Sequence, residues 1–258
     1  MAKHHRKWNQ IVYEKYIAEG RGQGEGKDYR PWIRIQDFAS LGTVSRIYSS
    51  KTKRVHHLLS NNEKYYFYLL EWSENIMDIR EQFPLSDIKT AMDVAANAGI
   101  RYPTDKNSGF PYVMTCDFML TTPHGLKART VKQASELSNP RIVEKLEIER
   151  QYWKRLGIDW KLVADRGIDI PKARAIEWVR QDDNTFVYDD FIVMAEAKQR
   201  FASAHSPIAV ANSLDRDFNL SKGAGMSIFK QLLRTKQIQL SSVSEIGIVN
   251  VNLLCTAR

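Results

Sequence analysis

Asp117 lies in the run YVMTCDFML (112–120), whose alternation predicts a β-strand with Met114, Cys116, Phe118 and Leu120 on one face. Asp117 shares the other face with Val113, Thr115 and Met119, so a carboxylate sits among mostly apolar neighbours. A second predicted strand, LKARTVK (126–132), follows the turn TTPHG. Thr130 and Lys132 are two residues apart and point the same way, and a hairpin sets them beside Asp117. Carboxylates supply the oxygen ligands that Mg²⁺ requires and offset its charge. A neighbouring lysine orients or deprotonates an attacking water and stabilises charge developing on a phosphate. The constellation suits metal-assisted hydrolysis of a phosphodiester. Its spacing alone is short and degenerate, and an Asp on the wet side of a sheet satisfies the same pattern.

Glu63 is a third candidate. In SNNEKYYFYLLEWS (60–73), Ser60 reads as a helix N-cap and Glu63 as the reciprocal half of a capping box. The same carboxylate, at the start of a helix before the hairpin, is a candidate metal ligand, and the two roles compete. Glu149, in EIERQYW, either supports the site from a later helix or is an exposed i,i+4 partner of Lys145, the reading its spacing favours. His56 and His57 are adjacent on a predicted strand and face opposite ways, a poor arrangement for a shared metal; His56 reads instead as a phosphate contact.

These residues need a scaffold. IMDIREQFPL (76–85) reads as a strand ended by Pro84, followed by an excursion over 86–110 with a short helix and a polar turn. Asn139 and Pro140 open a long helix, RIVEKLEIERQYWKRL, with Gly157 just past its end, and IDWKLVAD (158–165) is a further strand. The order helix, three strands, helix, strand requires a crossover at its last step. The expected class is therefore α/β with a mixed sheet. After Asp165 the texture turns helical, and two short strand-like runs, IQLSS and IGIVNVNLL, close the chain. Helices followed by a small hairpin predict a winged helix-turn-helix, with Lys222, Lys230, Arg234 and Lys236 on a recognition-type helix. The expected domains are 1–165 and 166–258.

Composition fits a soluble protein that meets nucleic acid. The 258 residues are 43% hydrophobic and 10% aromatic, enough for one large or two modest domains. No apolar run approaches the roughly 20 residues needed to span a bilayer, so no membrane role is expected. MAKHHRKWNQ lacks the apolar segment of a secretory signal. The two cysteines, Cys116 and Cys255, are far apart, which suits a reducing cytoplasm. The net charge of +8 is concentrated: residues 1–60 hold twelve Lys and Arg against five Asp and Glu. Such a segment attracts phosphate backbones, although a solvated basic face carries the same charge. Arg46, Lys51, Lys53 and Arg54 are the candidate phosphate contacts, together with His56. From Arg166 onward twelve cations meet ten anions, which favours protein docking over DNA; the helix SKGAGMSIFKQLLRTK and the tail beyond it are the expected surface. The glycine-rich stretch EGRGQGEGKDYRPW (19–32) lacks P-loop spacing and reads as a flexible basic loop.

The carboxylate-then-x-x-Lys outline is that of the PD-(D/E)xK nucleases. Longer strings, EGRGQGEGKDYRPW, RIYSSKTKRVHHLLS, LEW followed by DIREQFPL, and EKLEIERQYW, resemble the TnsA family, the endonuclease subunits of heteromeric cut-and-paste transposases. The resemblance spans residues 19 to 160. It implies a restriction-endonuclease-like core, a winged-helix C-terminal domain, and catalytic roles for Glu63, Asp117 and Lys132 around Mg²⁺, with Mn²⁺ able to substitute. TnsA proteins cut the 5′ ends of transposon DNA, beside a DDE transposase, TnsB, and an AAA+ ATPase, TnsC. One departure concerns Thr130, which stands where the family pattern usually has an acid or glutamine as a metal ligand. Threonine is shorter and neutral, which leaves its metal role in doubt. That departure supports an alternative reading, a catalytically silent DNA-binding or scaffolding subunit. A stand-alone restriction or repair nuclease is a further alternative.

Overall fold

In the computed structural model, the described residues are 8–37, 43–182, 187–204, 206–238, 245–246 and 249–250. The chain divides into two compact units, residues 1–168 and 169–258.

The first unit begins with helix α1 (Gln10–Ala18), the hairpin β1 (Ser45–Ser49) and β2 (Arg54–Leu58), and helix α2 (Asn61–Trp72). Strand β3 (Asp78–Pro84), helix α3 (Ile88–Asn97), strands β4 (Thr115–Thr122) and β5 (Gly125–Lys132), helix α4 (Pro140–Arg155) and strand β6 (Asp159–Ala164) follow. The sheet order is β3-β4-β5-β6, with the first two pairings antiparallel and β5–β6 parallel. Only Pro123 and His124 link β4 to β5, and Gly125 follows them at φ +99°, a value that favours glycine. The parallel step needs a crossover, which α4 supplies. Asn139 caps that helix by accepting the Arg141 N–H at 2.9 Å, Pro140 occupies its first turn, and Gly157 leaves it at φ +70°. The mixed sheet expected from the element order is present.

Ile148, Tyr152 and Trp153 of α4 pack with Cys116, Met119 and Ala128 of the sheet and with Leu85, Ala91 and Val94. The strict alternation expected along β4 is interrupted at Asp117. Cys116 and Met119, three residues apart, share the core under α4, while Phe118 packs on Tyr66 of α2 with ring centroids 5.9 Å apart. Asp117 stands opposite Gln82, between the pairs Glu81–Phe118 and Phe83–Cys116. Gln82 has φ +49°, so the strand twists out of its ordinary period there.

The glycine-rich stretch is an ordered strap rather than a flexible loop. A Cβ on Gly22 would come 2.4 Å from Pro84 Cγ, so only glycine allows this approach to β3. The Arg21 guanidinium is buried, bonded to Asp37 at 2.6 Å, the Trp32 carbonyl at 3.1 Å and Glu19 at 2.7 Å. Trp32 N–H donates to the Gln82 carbonyl at 3.2 Å, and Tyr29 O–H donates to that of Glu81 at 3.0 Å. Composition suggested flexibility; these side-chain anchors remove it.

The second unit comprises helices α5 (Ile170–Val179), α6 (Phe191–Ala202), α7 (Pro207–Asp217) and α8 (Ala224–Arg234) and the short strands β7 (Glu245–Ile246) and β8 (Val249–Asn250), which pair antiparallel. Helix α8 is its core. Eight of its eleven residues are buried, among them Ile228, Phe229, Leu232 and Leu233, and Phe229 meets Phe201 with ring centroids 4.5 Å apart. Lys230 is buried over the Trp178 ring at 4.7 Å. This overturns the expected use of α8 as a recognition or docking helix, because either use needs an exposed face that α8 does not have. Most of the two terminal strand-like runs lies outside the described residues. No helix among the described residues is long and apolar enough to cross a membrane.

Candidate active site

Glu63, Asp117 and Lys132 meet where α2, β4 and β5 converge. Ser60 caps α2 by accepting the Glu63 N–H at 3.1 Å. The Glu63 carboxylate in turn accepts from the Ser60 hydroxyl at 2.9 Å and the Leu59 N–H at 3.0 Å. Capping does not remove Glu63 from the site, since its Oε2 also lies 3.4 Å from Gln82 Nε2. The same amide nitrogen lies 3.4 Å from Asp117 Oδ1. Asp117 Oδ2 accepts the Val131 N–H at 2.7 Å and sits 3.5 Å from Lys132 Nζ. Both carboxylates are buried, each 7% exposed.

Electrostatics mark this pair as short of positive charge. Burial pushes the Glu63 carboxyl up to about 8, and the nearby Asp117 adds to the rise. Burial alone would lower the Lys132 pKa, but Asp117, Glu63 and Glu149 outweigh it and hold the ammonium protonated. Lys132 also donates to the Val131 carbonyl at 3.0 Å, which fixes its direction.

Thr130 points toward α4 rather than at Asp117. Its hydroxyl donates to Glu149 and accepts from Trp160 Nε1 at 3.2 Å, and that indole also donates to Glu149 at 2.9 Å. The Thr130 hydroxyl, expected as a metal ligand, is thus engaged by Glu149 and Trp160. Glu149 itself is not the exposed partner of Lys145: it is 3% exposed, beneath the sheet. Burial raises its carboxyl to about 8, with Asp117 contributing, against the lowering effect of its Thr130 and Trp160 hydrogen bonds.

The donor set fits a divalent cation. Two buried carboxylates face a common amide, with Lys132 beside Asp117, and Mg²⁺ typically takes one or two carboxylates and keeps several waters. Among the described residues, no three His, Cys, Asp or Glu side chains are grouped so as to hold a metal ion by themselves.

The five candidate phosphate contacts separate. Arg46 on β1 and Lys53 in the β1–β2 turn are exposed. Lys51 donates to the Ser73 carbonyl at 2.5 Å and closes the C-terminus of α2. Arg54 and His56 are not surface residues. Arg54 grips Glu81 with both terminal nitrogens and donates to the Ile79 carbonyl at 2.9 Å; His56 is fully buried between Glu81, at 2.8 Å, and the Thr52 hydroxyl, at 2.7 Å. The phosphate-contact reading of these two is corrected, because both side chains are buried against Glu81 rather than presented at the surface. Sequence reasoning missed Gln82 and the Glu81 cluster. The signal for Gln82 was available in register: antiparallel pairing of DIREQFP with TCDFMLTT places it opposite Asp117.

The family described as TnsA-like endonuclease N-terminal matches residues 73–165, the stretch that contains Gln82, Asp117, Thr130, Lys132 and Glu149. The transposon Tn7 transposition protein TnsA of Escherichia coli is 42% identical over 182 residues, covering 69% of this chain. The match spans 66% of that protein's length, just under two thirds. The chain belongs to the TnsA family.

Proposed function

We propose that this chain is a Mg²⁺-dependent DNA endonuclease subunit of a transposase, which cuts the 5′ ends of its transposon. The observation that carries the reading is the convergence of buried Glu63 and Asp117 with protonated Lys132. Glu63 and Asp117 are the residues that would hold Mg²⁺ or Mn²⁺. The bound ion would polarise the scissile phosphate and make water a stronger nucleophile. Lys132 is in its cationic form, suited to orienting the attacking water and to offsetting charge that grows on the phosphate oxygens. Asp117 holds that ammonium at 3.5 Å, and the Val131 N–H fixes the orientation of Asp117. Thr130 and Trp160 keep Glu149 buried behind the site as support.

Double-stranded transposon-end DNA is the substrate, and Arg46 and Lys53 are its phosphate contacts on the hairpin. A TnsB-type DDE transposase and a TnsC-type AAA+ ATPase are the expected partners, in a cytoplasmic complex on DNA. Four helices followed by a short antiparallel pair support a winged-helix reading of the second unit, with the ATPase docking on a face of that unit other than α8. The test is a 5′-strand cleavage assay on transposon-end DNA with the partner transposase present. Asp117→Ala and Lys132→Ala should each abolish cutting while circular dichroism stays that of the wild type. Retained cutting in a folded Asp117→Ala protein rejects the reading.

A further inference from the structure

Four non-glycine residues among the described ones have positive φ, and Gln82, at +49°, is the one that lies inside a strand; Lys53, Asn219 and Lys236 occupy turns. Side-chain-bearing residues avoid this region, and where they persist in it the surroundings hold them there, commonly at functional sites. Here the constraint comes from both ends of the residue. The backbone carbonyl accepts the Trp32 N–H of the glycine-rich strap at 3.2 Å, and the side-chain Oε1 accepts the Thr115 hydroxyl at 3.1 Å. With Oε1 committed to Thr115, the NH₂ group faces the interior, where its two hydrogens meet Glu63 and Asp117, each at 3.4 Å. The residue is 3% exposed, so no water competes freely for these bonds.

We propose that Gln82 is the positioning residue of the carboxylate pair: its carboxamide sets the spacing of Glu63 and Asp117 and thereby the affinity of the site for a divalent cation. A neutral donor suits this task. It reaches both carboxyl groups from one nitrogen, and it adds no charge of its own to compete with the ion. At 3.4 Å the two contacts are longer than the usual 2.9–3.0 Å for N–H···O bonds, so the amide spans the pair without clamping it shut. The proposal rests on the metal-nuclease reading above and assigns to that site a residue beyond the acid–acid–lysine set.

Gln82→Gly is the informative variant, because glycine adopts φ +49° freely while the carboxamide is lost with its two methylenes. Gln82→Asn is its companion; asparagine tolerates the same backbone and carries an amide one methylene short. Mn²⁺ binding to the full-length protein, measured by titration calorimetry, should weaken by about 10–100-fold in both variants, the range found when groups that orient metal ligands are removed. Circular dichroism should stay that of the wild type, and saturating Mn²⁺ should return 5′-strand cleavage to within a few-fold. Wild-type Mn²⁺ affinity in the Gln82→Gly and Gln82→Asn proteins overturns the positioning role while leaving the nuclease reading intact. Cleavage that saturating Mn²⁺ does not repair also overturns it, by placing Gln82 in the chemistry itself. A wild-type protein that binds no Mn²⁺ removes the metal reading and this proposal together.

Discussion

Two clusters of buried acid meet at neighbouring residues of β3, and they are resolved in opposite ways. Glu81 is fully buried, and burial alone would raise its carboxyl, yet His56 and Arg54 together hold it well below the usual carboxylate range. Arg54 takes both carboxylate oxygens, and the His57 N–H adds a bond at 3.1 Å. The cluster is closed on itself and bolts the β1–β2 hairpin to the sheet edge. One residue on, Gln82 spans Glu63 and Asp117, which share a single lysine, and there the Glu63 carboxyl rises to about 8. Burial of an acid is therefore a poor marker of function in this protein. The balance of cations around it separates a structural joint from a site that still has use for a positive ion.

The comparison breaks most visibly at Arg54. Arg54→Ala strands Glu81 in the interior, and removing one partner of a buried pair costs about 3–5 kcal/mol. With roughly 2–4 °C per kcal/mol in a protein of this size, the thermal midpoint should drop by at least about 6 °C. A drop under about 2 °C would mean the joint is not structural. Asp117→Asn should lose cleavage and, by removing the charge that helps raise Glu63, let the Glu63 carboxyl fall back toward its ordinary range. A Glu63 titration followed by NMR that does not move in the metal-free variant contradicts the claim that this pair is under-compensated.

A smaller effect appears in the pH dependence. Glu63 and Glu149 are pushed up to about 8, whereas an unfolded chain releases such protons near 4.3. Between those values the folded state binds more protons, so their contribution is full below roughly 4.3 and is lost as pH rises through about 8. Glu81, held low, contributes in the reverse sense: present above the unfolded value and lost in acid. From pH 7 to 8.5 the metal-free midpoint should fall as these two carboxyls release their protons, and Mn²⁺ should reverse the fall. Glu149→Gln should flatten part of it. A wild-type midpoint that is level across this range speaks against the buried, protonated acids.

The smallest effect separates cations of the same hairpin. Replacing exposed Arg46 and Lys53 by Gln should leave the midpoint unchanged. It should reduce the salt slope of DNA binding by about 2, near 0.9 for each phosphate contact. An unchanged slope moves the DNA surface off this hairpin.

Much of the first unit is legible in the sequence because its signals are local. Ser60 with Glu63, Asn139 with Pro140, and Gly157 mark helix ends by chemistry that acts within a turn. Alternation found β4 and β5, and the two-residue spacing of Thr130 and Lys132 fixed their shared direction. What escaped depends on contacts far apart in the chain. Arg54 and His56 look like surface cations until Glu81, from another strand, arrives to bury them. Glu149 looks like an exposed i,i+4 partner until Thr130 and Trp160 enclose it. The strap looks mobile by its glycines, although two of them permit close backbone approaches that side chains would block. Helix α8 has the lysines of a recognition helix but the burial of a core one, a distinction set by α6 and α7 packing on it.

The parallel pairing of β5 with β6 carries a consequence for synthesis. Glu149 acquires its indole partner only when Trp160 on β6 has been laid beside β5, after α4 has crossed over. At the other end, the carbonyl of Gln82 is met by Trp32 from the strap. The candidate centre thus draws on residues scattered from 32 to 160, and chain closure over such separations is slow compared with local folding. A nascent chain leaving the ribosome cannot complete the centre until nearly the whole first unit has emerged. Newly made protein therefore passes most of the elongation of this unit without the assembled carboxylate–lysine cluster.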